Sequence, residues 1–158
     1  MKAAYNLARW LTRNDQDAED VVQEAYLRAF RFYDSFRGSD ARAWLLMIVR
    51  NTCFTWLAQN RKAQVSLNEE MPELAHIESN PETILLAGVD LELLRTSLAA
   101  LPIEFREAIV LRELEGLSYK EISAVTGLPL GTVMSRLARA RTRLQQTLAG
   151  RFSKGGAA

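Results

Sequence analysis

Ser118-Tyr119-Lys120-Glu121-Ile122-Ser123-Ala124-Val125-Thr126-Gly127-Leu128-Pro129-Leu130-Gly131-Thr132-Val133 is the stretch that decides the fold. Ser118 and Glu121 have the spacing of a capping box, in which the hydroxyl accepts from the backbone amide three residues on and the carboxylate returns to the serine amide. That spacing predicts a short helix over 119–125. Thr126-Gly127-Leu128-Pro129 is a tight turn, and a longer helix runs from Leu130 to about Leu148. A short capped helix, a glycine turn and a longer helix are the parts of a helix-turn-helix, whose second helix lies in the major groove. At about 100° per residue with Val133 as origin, Leu137, Ala140, Leu144 and Leu148 form one seam and are expected to be buried. The opposite side carries Ser135, Ala138, Arg139 and Thr142, small or polar residues over which the backbone can come close to base edges. Thr132, Arg136, Arg139 and Arg143 line one flank, a geometry suited to straddling phosphates. Residues 130–158 hold six Lys/Arg and no Asp/Glu. A solvated basic face is the plainer alternative, but arginine, the preceding turn and the absence of acids favour DNA.

Working outward, 158 residues suit one domain or two small ones. The 20 basic and 19 acidic side chains nearly cancel to +1, but not locally. Positions 1–62 carry ten Lys/Arg against seven Asp/Glu (+3), positions 63–92 seven acids and no base (−7), and positions 93–158 ten bases against five acids (+5). The acidic middle also concentrates Ser66, Asn68, Pro72, Ser79, Asn80 and Pro81, which punctuate rather than build elements. It reads as a linker (63–82) between an N-terminal module (1–62) and a C-terminal module (83–150); a long loop within one domain is the alternative. Periodicity is helical throughout and strand alternation is absent. The expected fold class is all-α: two small helical bundles joined by an acidic linker, the C-terminal one a helix-turn-helix domain.

Several functions are excluded by composition. One cysteine, Cys53, rules out a disulfide framework and a cysteine-rich zinc site. One histidine, His76, in an acidic stretch without a second ligand, rules out a two-imidazole mechanism and speaks against a metal. No Ser/His/Asp, paired-carboxylate or phosphate-loop arrangement argues for an enzyme or for a bound cofactor. Apolar runs such as Ala43–Val49 are far too short to span a membrane, and Arg9 and Arg13 interrupt any export signal. A cytoplasmic chain with no membrane insertion is expected.

In the N-terminal module a first helix is predicted over 3–11 and a second from Asn14 or Asp15, both cap candidates, to about Tyr33. Taking Val22 as origin, Ala18, Ala25, Tyr26, Ala29 and Tyr33 form the expected buried seam. Asp20, Gln23, Glu24, Leu27 and Arg31 fall on the other side, a polar face with an apolar residue in its middle that suits a partner as well as solvent. After the turn Arg37-Gly38-Ser39, Ser39 or Asp40 caps a third helix to about Asn60. Its expected seam is Leu45, Ile48, Val49, Thr52 and Trp56, with Met47, Arg50, Phe54, Leu57 and Arg61 on the reverse. The first helix can cover part of that reverse face, yet basic residues interleaved with aromatics also suit single-stranded DNA. Cys53 reads as a small packed residue. Asn80-Pro81 opens a fourth helix to Ala100, and Pro102 a fifth ending at Gly116.

Leu111-Arg112-Glu113-Leu114-Glu115-Gly116-Leu117-Ser118-Tyr119-Lys120-Glu121-Ile122, followed by Gly131-Thr132-Val133-Met134-Ser135-Arg136-Leu137-Ala138-Arg139-Ala140-Arg141, closely resembles the second DNA-binding domain of bacterial sigma factors, in particular the extracytoplasmic-function (ECF) group. Asp17-Ala18-Glu19-Asp20-Val21-Val22-Gln23-Glu24-Ala25-Tyr26-Leu27-Arg28-Ala29-Phe30 is a second match, in the right order. Together the resemblance covers about residues 3–148. It implies a subunit that binds core RNA polymerase and directs promoter-specific initiation, recognising −35 and −10 elements and helping to open the DNA. On that resemblance Thr132, Ser135, Arg136, Arg139, Thr142 and Arg143 contact the −35 element. Asp20, Gln23, Glu24 and Leu27 dock on the clamp helices of the largest polymerase subunit, and the C-terminal module meets the flap region. Ser35, Phe36, Arg37, Ile48 and Asn51 serve the −10 element, where a base leaves the stack and Asn51 can both donate to it and accept from it.

The resemblance further implies an acidic linker threading near the RNA exit path, a sequestering anti-sigma factor, a monomeric free chain and a stress-responsive role in the bacterial cytoplasm. Two departures stand out. Family members have roughly one more helix before the position of Met1, so this chain is expected to start late. Met134 and Ala138 replace residues that are often basic and larger, so the −35 preference does not transfer. Residues 151–158 read as a frayed tail. Rivals are a stand-alone helix-turn-helix regulator, which has no need of the 17–30 helix, and a degenerate sigma-like adaptor, which could lose the 35–62 segment.

Overall fold

The first helix, α1, spans Lys2–Thr12 and buries Ala4, Leu7, Ala8 and Leu11 on one stripe, with Trp10 beside them. The computed structural model describes residues 2–38, 40–66 and 91–156, with side chains through residue 60 and from 91 to 150. Most of the expected linker, His76 and the start of the expected fourth helix therefore lie outside the described residues. Helix α1 stops at Arg13, whose backbone is left-handed (φ 63°) and whose amide donates to the Arg9 carbonyl at 2.9 Å. Helix α2 spans Asp15–Arg31 and is capped by Asn14, whose side chain accepts from the Asp17 amide at 3.0 Å. Ala18, Val21, Val22 and Ala25 are buried. Tyr26 and Tyr33, expected in the seam, are instead 37% and 68% exposed. The buried stripe is made of small residues and leaves Tyr26 on its edge. Tyr33 lies past the helix end in the 3-10 turn Tyr33–Ser35, where helical phase no longer applies.

Helix α3 spans Ala41–Ser66, longer than expected, and Asp40 caps it by accepting from the Ala43 amide at 3.0 Å. Its most enclosed line is Ala43, Leu46, Val49, Thr52 and Cys53. The expected seam residues Leu45, Ile48 and Trp56 are only half-buried. The shift has a simple cause: α3 is packed on both sides, against α1 and α2 on one and against the C-terminal module on the other.

The C-terminal module contains α4 (Leu91–Ala99), α5 (Ile103–Ile109), α6 (Tyr119–Thr126) and α7 (Leu130–Gly156). The fifth predicted helix is not uniform. After Ile109 the chain widens into a single π-helical turn, Val110–Leu114, in which the Glu115 amide reaches the Val110 carbonyl at 3.0 Å. Gly116 (φ 70°) ends it. Helix α7 continues past Leu148 to Gly156, so the backbone of the expected frayed tail is helical to that point. All described elements are helical, in agreement with the expected all-α class.

A single cluster of buried apolar residues runs through both modules, from Ala4 to Ala140. Helix α3 packs on α6, and α1 on α5. Polar ties cross the same boundary. The Arg50 guanidinium meets the buried Glu107 carboxylate at 2.8 Å. Asn6 donates to Glu115 at 2.6 Å, and Arg42 donates to the Glu115 backbone carbonyl at 2.7 Å and reaches its carboxylate at 3.3 Å. Arg106 is buried and donates to the carbonyls of Ala99 (3.1 Å), Leu101 (3.0 Å) and, across the boundary, Leu11 (3.4 Å). Burial, reinforced by the charge of Arg13, lowers its pKa to about 10, so it remains a cation at neutral pH.

Candidate nucleic-acid and polymerase interfaces

The helix-turn-helix is built as its sequence dictates. The Glu121 amide donates to Ser118 Oγ at 3.1 Å and the Ser118 amide to Glu121 Oε1 at 3.0 Å, closing both halves of the capping box. Gly127 ends α6 in the left-handed region (φ 74°), donating to the Ser123 carbonyl at 2.9 Å. The Val133 amide donates to the Pro129 carbonyl at 3.0 Å. Val133, Leu137 and Ala140 of the seam predicted for α7 are buried, while Leu144 and Leu148, towards its end, are half-buried.

On the outer side of α7, Ser135, Ala138, Arg139, Thr142 and Arg143 are exposed, while Thr132 and Arg136 are half-buried. The two hydroxyls are engaged within the helix, Ser135 with the Thr132 carbonyl at 3.1 Å and Thr142 with the Ala138 carbonyl at 3.0 Å. The Arg143 guanidinium lies 5.8 Å from the centre of the Phe105 ring. Met134 is half exposed. Although α7 carries no acid, neighbouring elements bring acids to its edges. Glu113 binds Arg141 at 2.8 Å, and Glu107 lies close enough to Arg136 to feel its charge. Sequence reasoning missed both, because the two acids belong to other turns of the chain.

Asp20, Gln23, Glu24 and Leu27 are all exposed on α2, with Leu27 at 68%. Glu24 accepts from Arg28 at 2.8 Å, an i,i+4 pair on the helix surface. The apolar part of this region is wider than expected, since Phe30 is 87% and Phe32 52% exposed. Phe30 lies within about 60° of Leu27 around the helix, so the two share one face. Exposed apolar residues in that number mark a docking surface more often than solvent.

Ser35, Phe36 and Arg37 line an open cleft of 540 Å³ together with Trp44, Met47 and, from α6, Lys120, Glu121 and Ala124. The Phe36 and Trp44 rings are 5.1 Å apart and tilted by 41°. Ile48 and Asn51 are not among the walls of this cleft: Ile48 is half-buried, and Asn51 is exposed with its carbonyl oxygen 3.3 Å from the Arg50 guanidinium. Trp44 was not singled out in the sequence; an aromatic one turn into α3 after Phe36 was the available signal. Arg50 lies over Phe54 at 4.2 Å while held by Glu107. Cys53 is buried, and burial together with the Glu107 charge raises its thiol pKa to about 12. Among the described residues no group of His, Cys, Asp and Glu is arranged to hold a metal, and no helix is long and apolar enough to cross a membrane.

A helix-turn-helix module following a helical module with an exposed acidic-apolar face defines an all-helical protein of the helix-turn-helix class. The Sigma-70 region 2 family matches residues 1–63, and Sigma-70, region 4 matches residues 91–144. The chain is 40% identical over 134 residues to the ECF RNA polymerase sigma-E factor of Escherichia coli (strain K12), covering 79% of this chain and 70% of that protein. It is 38% identical over 149 residues to the ECF RNA polymerase sigma factor SigE of Mycolicibacterium smegmatis, covering 92% of this chain and 57% of that protein. Among solved structures, the sigma factor RpoE in complex with the anti-sigma factor NepR from Bartonella quintana superposes with a TM-score of 0.73 at 33% identity, over 93% of this chain and 90% of that one. CnrH in complex with the cytosolic domain of CnrY superposes with a TM-score of 0.63 at 28% identity, over 94% and 81%. This chain belongs to the ECF RNA polymerase sigma factor family. Its partners are accordingly core RNA polymerase and promoter DNA, and it acts in promoter-specific transcription initiation; the stand-alone regulator is not favoured.

Proposed function

We propose that the modules (1–62 and 83–150, joined by the 63–82 linker) divide the promoter between them, the C-terminal one reading the −35 element and the N-terminal one the −10 element. The observation that carries the reading is the outer face of α7, where Ser135, Arg139, Thr142 and Arg143 stand exposed on a helix-turn-helix whose first helix is capped at both ends, with no acid on α7 itself. Thr132 and Arg136 complete that contact set from its half-buried flank. Arginines there neutralise phosphates and fork onto guanine edges, while small neighbours let the helix sink into the groove. At the −10 element Ser35, Phe36 and Arg37 line the cleft that takes the unstacked base, with Ile48 and Asn51 on the adjoining helix. Asp20, Gln23, Glu24 and Leu27 form the contact with the polymerase clamp helices, an apolar anchor inside a polar ring. The C-terminal module meets the flap region.

The chain performs no chemistry of its own and works in the cytoplasm beside the polymerase. An anti-sigma protein is its expected regulator, because the solved relative RpoE is bound to the anti-sigma factor NepR. The test is run-off transcription with purified core polymerase and promoter DNA. Transcripts are expected only when this chain is added. Duplex binding by the isolated chain without transcripts would favour a stand-alone regulator instead.

A further inference from the structure

The outer face of α7 carries an apolar strip for which its arginines do not account. Leu130, Met134 and Ala138 follow one another at i, i+4 and i+8, along one side of the helix. All three are exposed, Leu130 at 49% and Met134 at 50%. They lie in the first turns of α7, the part of a recognition helix that meets base edges. Ala138 also lines an open recess of 540 Å³ together with Phe105, Arg139, Thr142 and Arg143, which leaves space above its methyl group. Polar competition on the strip is weak. Its hydroxyl neighbours Ser135 and Thr142 donate to the helix carbonyls of Thr132 and Ala138 at 3.1 and 3.0 Å, so their hydrogens are already used. Arg141, on the same side of the helix as Met134, is drawn to Glu113 at 2.8 Å. Arg139 and Arg143 stand exposed on the other side of Ala138.

We propose that Met134 and Ala138 read the C5-methyl groups of thymines in the −35 element, so that this chain prefers A·T pairs at the positions beneath them. In the major groove thymine presents a methyl group and is recognised by apolar side chains, whereas guanine presents two acceptors and is read by the fork of an arginine. The Met134 thioether has no hydrogen to donate to a guanine edge, and Ala138 has no polar atom in its side chain. The flanking arginines supply the attraction to phosphates that seats the strip in the groove. Residues four apart are separated by about 6 Å of helix rise and successive base pairs by about 3.4 Å, so the two thymines lie within about two base-pair steps of each other. The inference rests on the outer face of α7 being the −35 contact.

The test uses holoenzyme assembled from core polymerase and the full chain. Selection from promoter duplexes randomised across the −35 element is expected to enrich thymine at two positions within about two steps of each other. At each of them deoxyuridine, which lacks only the methyl group, is expected to weaken binding about three- to fourfold. 5-Methylcytosine, which puts the same methyl on a C·G pair, is expected to bind more tightly than cytosine by a similar factor. Met134→Arg is expected to shift one position from thymine to guanine and to abolish the deoxyuridine effect there, while the other position keeps its own. The readout is a ratio between duplexes, which added charge alone leaves unchanged. Equal binding of thymine and deoxyuridine duplexes at every position overturns the proposal, as does an M134R chain that keeps the wild-type preference. An M134R chain whose main defect is weaker binding to core polymerase also overturns it, since the strip would then face protein. Photocrosslinks from position 135 to the −35 duplex test the groove assignment separately. Crosslinks without a deoxyuridine effect sink the methyl reading alone; their absence overturns the groove assignment and the methyl reading together.

Discussion

Leu27→Ala separates a docking role from a structural one on the same helix. Leu27 is 68% exposed on α2, while Val21, less than two turns away, is fully buried. Fully burying a leucine side chain is worth about 1.5–3 kcal/mol, and about two-thirds of that remains to be gained when a partner covers Leu27. Truncation to alanine therefore removes about 1–2 kcal/mol of binding, a loss of about 5- to 30-fold in affinity for core polymerase. Stability should hardly move, since the side chain gives up little packing in the free chain and alanine is an excellent helix former. The assay is competition of wild-type and variant chains against a labelled sigma factor for a fixed amount of core polymerase, paired with thermal unfolding. Excess variant should restore transcription to the wild-type level, because only occupancy is affected. Unchanged affinity would refute the docking face; a melting temperature lowered by several degrees would refute the reading of Leu27 as free surface.

Other residues make equally direct predictions. Arg139→Ala and Arg143→Ala should each reduce the salt dependence of promoter-duplex binding by holoenzyme, by about 0.9 in the log–log slope for each phosphate no longer neutralised, and an unaltered slope would exclude a phosphate partner for that arginine. Gly127→Ala should destabilise by about 1–2 kcal/mol in denaturant titration, through backbone conformation alone, as nothing beyond the adjoining residues lies within 4 Å of the added Cβ. Arg13→Gly should do the reverse and stabilise by about 1 kcal/mol, replacing a left-handed arginine and removing a like charge near Arg106. Cys53 has its pKa raised from 9.0 to about 12, so its contribution to stability is complete below pH 9 and is lost as pH rises from there towards 12. Between pH 8 and pH 10 that loss is about 1.4 kcal/mol, and Cys53→Ala should flatten the alkaline stability profile by that amount; an unchanged profile would contradict the assignment.

The parts legible in the sequence are those set by near neighbours. Ser118 and Glu121, Gly127 and Asn14 each act within four residues, and each does in the structure what its spacing implies. The Val133–Leu137–Ala140 seam was readable because α7 is apolar on one side only. Helix α3 yielded only in part: Val49 and Thr52 of the expected seam are buried, but with apolar residues all round and packing partners on two sides, Ala43, Leu46 and Cys53 are enclosed in place of Leu45, Ile48 and Trp56. Tyr26, Phe30 and Tyr33 show the complementary weakness, since a partner surface and a core stripe use the same residue types. The seating of one module on the other was beyond reach, because Arg50 and Glu107 are 57 residues apart and Asn6 and Glu115 are 109. No local pattern announces such pairs. Of the candidate contacts, the exposure of Asp20, Gln23, Glu24, Leu27, Arg139 and Arg143 followed from helix geometry, whereas the half-buried state of Arg136 did not.

The wide turn at Val110–Leu114 amounts to one surplus residue in an otherwise regular helix. A chain one residue shorter there would wind without interruption and rotate everything beyond it by about 100°. Glu115 would swing away from both Asn6 and Arg42, and Glu113 from Arg141. Five residues thus act as a phase shifter, and a single-residue deletion among them should uncouple the halves of the molecule while leaving each half's own helices able to form.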